Sequence, residues 1–536
     1  MLPIPFSNIA ISLSGGGYRA TTFHLGALSL LNEVKTPGGE SLLSRVSILS
    51  TISGGTLTGV MYTLKVVEGY GYQECFDKLY QLLEEDKLVE RALGKLNAPG
   101  KWTNKHKSRD VINAFSEVYD EYFYERATFA ELYENPTGNL NDIIFGASEF
   151  TTGIQFRFQR GHEDEMFGNG NLDLPREAAA EIRLADAAAS SSCFPGGFEP
   201  MIMPKDFGNG PDSRVNQAWN NLEHEPVTAI MDGGVLDNQG IEGVKLAERR
   251  HKKNDVPFIG TYIISDVTGE TMDPLVVPEL EHSRFRDFFT FRSVNVIALL
   301  LLAVAVTFLI LSDATTLEIV LVSALSTVIT LWYALYTFTR KTLLNEVRNT
   351  FTGGHLPGIL NNFRVLTRTP LYILFYLVKF RGLSVMKMVM DIFLRRIRRL
   401  QLDALFASPD WNGRIKTNNI YTLKGKHLNE VGSKIQRVVE NANNMPTTLW
   451  FSEEEKENHM LDDLIASGQF SLCFNLLKYC REIKEKTYDG KNIWEGLEPA
   501  QRAEVEAIEQ TLEEYWVAFK KEPYWLLNKD KVGVVA

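Results

Sequence analysis

Apolar residues fill positions 9–13, give way to a Ser-Gly-Gly-Gly stretch, and return at helical spacing through Phe23, Leu25, Leu28 and Leu31. Positions 46–52 repeat the arrangement, with Ser53, Gly54 and Gly55 at the break and a stripe through Leu57, Val60, Met61 and Leu64 after it. Two strand, tight turn, helix units in close succession predict a parallel sheet covered by helices. Further strands are expected at 142–147, 154–158, 228–231 and 258–265. The charged and aromatic stretch 78–133 reads as helical and carries no motif.

Two segments depart from this globular pattern. Residues 294–311 contain no charge, and 317–338 contain only Glu318. At about 1.5 Å per residue each spans roughly 27 to 33 Å, the thickness of a hydrocarbon core. Arg284, Arg286 and Arg292 precede the first, and Arg340 and Lys341 follow the second. The positive-inside bias therefore predicts a hairpin with both ends on the cytoplasmic side. Two core helices of a soluble protein are the competing reading. Residues 340–399 are strongly basic, with only Glu346 and Asp391 as acids. Lys379, Arg381, Lys387 and the run Arg395, Arg396, Arg398, Arg399, set among apolar residues, suit helices at an anionic leaflet, against a solvated basic face as the alternative. The first residues lack a secretory signal pattern, which predicts a cytoplasmic amino-terminal domain.

The 536 residues are 44% hydrophobic, enough for a large core, so a disordered or fibrous chain is excluded. With 56 basic and 67 acidic residues, a net charge of −11 argues against a nucleic-acid partner. Cys75, Cys193, Cys473 and Cys480 form no CxxC pair, so neither a zinc site nor a disulfide framework is expected. No metal or cofactor is expected either.

Three short pieces carry chemistry. Ser53 stands where a buried strand meets a helix, and a sharp turn there would lift its hydroxyl clear of the sheet as a nucleophile; a plain helix cap is the alternative. The stretch 14–19, Ser-Gly-Gly-Gly-Tyr-Arg, could turn backbone N–H groups toward one point at a helix start, with Arg19 adding positive charge, or could be only a tight turn. It lacks the residues of a P-loop and the spacing of a dinucleotide loop. In Met-Asp-Gly-Gly-Val-Leu-Asp-Asn-Gln-Gly, 231–240, Asp232 ends a strand before two glycines, as a reactive carboxylate or an Asp-Gly turn would.

Together the pieces resemble the patatin-like phospholipase family, which has a GGGx(K/R) loop, a serine elbow and an Asp-Gly element in that order. The block 191–200, Ser-Ser-Cys-Phe-Pro-Gly-Gly-Phe-Glu-Pro, strengthens the resemblance, as do 145–153 more loosely and 445–450 with 464–470. Ser14 replaces an Asp common in the family, and Thr51 replaces the leading glycine of the elbow. The resemblance implies a three-layer α/β/α fold with a mostly parallel central sheet, plus a helical membrane insertion. It implies a Ser53–Asp232 dyad, with Gly15, Gly16, Gly17 and Arg19 at the oxyanion, cleaving carboxylic esters of membrane phospholipids or related lipids. The expected layout is a catalytic domain over 1–267, a membrane insertion over 268–414, a closing part over 415–485 and a helical extension over 486–536. Paired hairpins could also self-associate within the bilayer, giving a homo-oligomer. A Ser-His-Asp hydrolase would need His251, His282, His355 or His427 beside the serine; His24 reads as helix packing. A tethered lipid-binding scaffold without turnover is the reading from another class.

Overall fold

The computed structural model describes residues 2–161, 167–222, 227–253, 258–270, 274–311, 315–350, 367–425 and 431–532. The chain divides into a larger unit, Met1–Met272 with Ile392–Ala536, and a smaller one, Asp273–Asp391.

The larger unit is built on a ten-stranded sheet. Its strands are β1 Ile9–Leu13, β2 Val46–Ile52, β3 Asp142–Glu149, β4 Gln155–Arg160, β5 Phe167–Gly168, β6 Asp173–Leu174, β7 Met201–Met203, β8 Thr228–Asp232, β9 Thr261–Asp266 and β10 Ile415–Asn419. The order β10-β9-β1-β2-β3 is parallel throughout, and β4, β5 and β6 extend it antiparallel. The strand expected at 154–158 is therefore present but reversed. A five-residue turn joins it to β3, too short for the crossover that a parallel partner needs.

Strand residues alternate between two cores, as the two-residue period of a strand requires. Ile9, Ile11, Leu13, Leu49, Ile143, Phe145 and Ile263 face one; Ala10, Ile48, Ile144, Tyr262 and Ile264 face the other. The first core is closed by helices α1 Gly17–Glu33 and α2 Gly54–Val67. The short α3 Leu184–Ser191 packs there too, and α4 Gly234–Asp237 follows β8. The second core is closed by α5 Ile241–Lys253 through Ile241, Val244 and Ala247. This is the expected mostly parallel sheet between helical layers.

The smaller unit contains α6 Phe291–Leu311, α7 Thr316–Thr350 and α8 Leu371–Lys387. Within α6, Phe291–Phe308 has a mean hydropathy of 2.1, is long and apolar enough to cross a membrane, and is only 6% buried. Such a face left open to water would cost about 25 cal/mol for each Å² of apolar surface, which favours an apolar surrounding. Trp332 of α7 donates its indole N–H to the Asn295 side chain of α6 at 3.4 Å, so the two helices lie side by side.

The chain then returns to the larger unit with α9 Leu394–Ala407 and, after β10, α10 Met460–Glu482, α11 Pro499–Lys521 and α12 Trp525–Lys531. The basic run on α9 is divided: Arg396 and Arg399 are exposed, as a leaflet-facing helix would have them, whereas Arg398 is buried against Asp266. The last helix is tied inward. Asp530 accepts hydrogen bonds from Ser29 of α1 at 2.6 Å and Gln469 of α10 at 2.8 Å.

Candidate active site

The site lies where two strands meet head to head. Along β3, Gly146 pairs with Ile52, the last residue of β2, and the next residue, Ala147, pairs with Asp232, the last residue of β8. Because β8 runs antiparallel to β3 and β2 runs parallel to it, their carboxyl ends converge at neighbouring positions. Ser53 and Asp232 are brought together by that register.

Ser53 turns the corner from β2 into α2 with φ 51° and ψ −121°. A serine there is strained by the order of 1–3 kcal/mol and persists only when its surroundings hold it. Ser191, the last residue of α3, does much of the holding. Its hydroxyl oxygen accepts the Ser53 N–H at 2.9 Å, and its own proton goes to the Gly146 carbonyl at 2.7 Å. Thr56 lies 2.9 Å from the same hydroxyl and receives the Thr51 hydroxyl at 3.0 Å. Thr51 thus fits in place of a glycine because Gly59 of α2 makes room for it: a Cβ on Gly59 would stand 2.6 Å from the Thr51 methyl.

Asp232 is held on both sides of its backbone. Its N–H donates to the Cys193 carbonyl at 3.0 Å, and its carbonyl accepts the Ser148 hydroxyl at 2.8 Å. Gly233 donates to the Ser191 carbonyl at 3.3 Å, so Ser191 braces the acid turn as well as the elbow. Ser191 is the bracing residue that motif reading leaves without a role, although the block starting with it is visible in the sequence. The Asp232 carboxylate accepts the Gly234 N–H at 2.7 Å. Burial pushes its pKa up to about 7, against the opposing pull of the Gly234 N–H and the Ser53 hydroxyl.

That shift predicts a pH-dependent strain. Folded-state protonation persists up to about pH 7, whereas the unfolded carboxyl ionises near its ordinary 3.8, so stability falls as pH rises between the two and stays lowered above. Asp232→Asn removes the charge and is expected to raise the melting temperature more at pH 8 than at pH 5. Equal gains at both would contradict the shift.

The glycine loop lies against the elbow. A Cβ on Gly15 would stand 3.0 Å from that of Ser53, and one on Gly54 would collide with the Gly17 carbonyl. Gly16 and Gly17 have φ of 147° and 57°, conformations that a side chain would disfavour. Gly15 donates its N–H to the Asn238 carbonyl at 3.0 Å, and Tyr18 donates to Thr448 at 2.7 Å. The N–H groups of Gly16 and Gly17 carry no hydrogen bond among the described residues and sit at the start of α1, where the helix dipole favours negative charge. Ser14, in the place of an aspartate, accepts the Val267 N–H at 3.1 Å. The Arg19 guanidinium is directed elsewhere, onto the Met445 carbonyl at 2.8 Å and the Thr447 hydroxyl at 3.2 Å. Of the four residues expected at the oxyanion, Gly16 and Gly17 have open donors, Gly15 spends its N–H on the Asn238 carbonyl, and Arg19 clamps the 445–447 segment.

Among the described residues no histidine is hydrogen-bonded to Ser53 or Asp232. His24 is buried between the Ser14 carbonyl and the Ser265 hydroxyl, each 3.0 Å away, and burial pushes it down to about 4. His251 pairs with Asp142 at the opposite end of β3, and His282 lies 3.4 Å from the Tyr372 hydroxyl in the smaller unit. His355 and His427 lie outside the described residues.

A family model described as patatin-like phospholipase matches residues 11–245. The chain carries a patatin-like phospholipase domain. The match takes in the glycine loop, the elbow, the 191–200 block and Asp232, and it makes the domain one of a family of lipid acyl hydrolases. No curated protein matches the chain. The patatin-like sheet also recruits β9 and β10 from beyond the match.

Proposed function

We propose that the protein is a membrane-anchored serine acyl hydrolase of the phospholipase A or lipase type, acting on membrane phospholipids or related lipid esters. Ser53 attacks the ester carbonyl while Asp232 takes its proton. The oxyanion forms against the Gly16 and Gly17 amides, at the positive end of α1. Collapse expels the alcohol, which recovers the proton from Asp232, and leaves an acyl group on Ser53. Water then attacks that ester, Asp232 again accepts the proton, and fatty acid leaves as Ser53 is restored. The observation that carries this reading is the convergence of the β2 and β8 ends on adjacent positions of β3.

The apolar span in α6, with the apolar run 318–334 of α7, supports a hairpin tether, and the flanking Arg284, Arg286, Arg292, Arg340 and Lys341 favour both of its ends on the cytoplasmic side. A tether keeps the ester-cleaving site at the leaflet, and the exposed Arg396 and Arg399 favour anionic headgroups there. In this arrangement residues 1–267 and 415–485 form the catalytic domain, with 268–414 inserted and 486–536 as an extension.

A base with a pKa near 7 sets the pH profile. Fatty acid release from phospholipid vesicles is expected to fall about tenfold per pH unit below 7 and to level off above it. A rate independent of pH between 5 and 8, with Ser53 still required, would exclude Asp232 as the base. Absence of Ser53 labelling by a fluorophosphonate, in detergent and in membranes, would favour the scaffold.

A further inference from the structure

The buried ion pair between Asp266 and Arg398 lies outside the dyad and beyond the matched region, yet it reaches the loops on which the dyad depends. Asp266 ends β9 and is fully buried. Its carboxylate accepts from Arg398 Nε at 2.6 Å, from Gln239 Nε2 at 2.5 Å and from the Thr268 N–H at 2.8 Å. Gln239 belongs to the turn that follows Asp232. Asn238, one residue earlier, takes the Gly15 N–H on its carbonyl, and its side-chain amide reaches the Thr268 hydroxyl at 3.4 Å. On the other side Val267 donates its N–H to Ser14, and a Cβ on Gly16 would stand 2.6 Å from the Val267 side chain. One carboxylate thus joins the acid turn to the wall of the glycine loop.

Arg398 comes from α9, which also reaches α4, the helix that starts two residues after Asp232: Gln401 donates to the Leu236 carbonyl at 3.2 Å. Burial would raise the Asp266 pKa, but Arg398 and the Thr268 N–H outweigh it and hold the carboxyl below its ordinary range. The group therefore stays ionised at neutral pH. An ionised group buried this deeply needs its partner, and removing Arg398 would leave an unpaired charge between the two loops.

Resting on the hydrolase reading, we propose that Arg398 is a positioning residue. Seated on Asp266, it sets the 238–239 turn and the 267–268 segment so that Asp232 is aligned and the Gly16 and Gly17 amides stay open. The ester-cleaving site is then competent only while α9 is docked. No reacting atom touches Arg398; it acts through Asp266.

The test uses the full chain in detergent, a soluble nitrophenyl ester and a fluorophosphonate. Arg398→Met is expected to lower kcat about 30-fold or more, with KM changed less than about threefold, and to slow Ser53 labelling in proportion. Arg398→Lys, which keeps the charge, is expected to recover much of the loss. The double variant Asp266→Asn with Arg398→Met is expected to be no worse than Arg398→Met alone, because the two act as a unit. A folded Arg398→Met protein with wild-type kcat and labelling overturns the proposal. If that variant fails to fold, the neutral double variant decides: folded and slow supports the proposal, folded and fast overturns it. Failure of both to fold assigns the pair to the stability of the domain and overturns it too. A wild type without Ser53-dependent labelling would instead break the hydrolase reading itself.

Discussion

Ser53→Ala is expected to lower hydrolysis of a soluble ester by at least about 10⁴-fold, some 5 kcal/mol of transition-state stabilisation, without loss of folding. The magnitude follows from the role: the hydroxyl forms the covalent bond, and the neighbouring Ser191 and Thr56 hydroxyls are already committed to bracing the elbow. The turn itself is held through the Ser53 backbone N–H, which alanine keeps. Asp232→Ala is expected to approach the same loss, and Ser53→Ala with Asp232→Ala to be no worse than Ser53→Ala alone, since nucleophile and base act as one device. Ester turnover with purified variants, checked by fluorophosphonate labelling, measures this. A Ser53→Ala protein within tenfold of wild type would move the nucleophile elsewhere.

The largest structural effect is expected where a helix from beyond the matched region, α10, packs on α1 within it. Helices α1 and α10 cross so closely that a Cβ on Gly26 would collide with the Ile465 carbonyl, and one on Gly468 with the Phe23 carbonyl. Neither contact can be relieved by a side-chain rotation, because both obstacles are backbone. Gly468→Val must push apart two helices that share a buried core, at an expected cost of about 3 kcal/mol or more. Since α1 starts at the glycine loop, the separation is expected to reduce ester hydrolysis together with stability. Thermal unfolding and turnover of the same preparation test both. An unchanged melting temperature would show that the helices have slack.

The strand, turn, helix units that begin with β1 and β2 were legible because period-two and helical apolar spacing are local properties. So were Ser53, Asp232 and the glycine loop, each next to small residues that a tight turn requires. The long apolar span was legible for the same reason: a stretch without charge states its preferred surroundings whatever its neighbours. By itself the sequence thus determined the element types, the tight turns that carry Ser53, Asp232 and the glycine run, and the presence of a membrane-suited helix.

Tertiary structure decided which groups of those turns come together and which are left open. That β4 and β8 run antiparallel depends on how strands pair across the sheet, and the pairing of β8 beyond the end of β2 is what sets Ser53 beside Asp232. Whether a loop N–H is open or spent depends on residues far along the chain: Asn238 takes the Gly15 proton, and the 445–447 segment takes Arg19. In the run at 395–399 every arginine looks alike, and only packing turns Arg398 inward onto a carboxylate more than a hundred residues away. Hydrogen-bond partners and burial are properties of contacts between distant segments, and no local pattern encodes them.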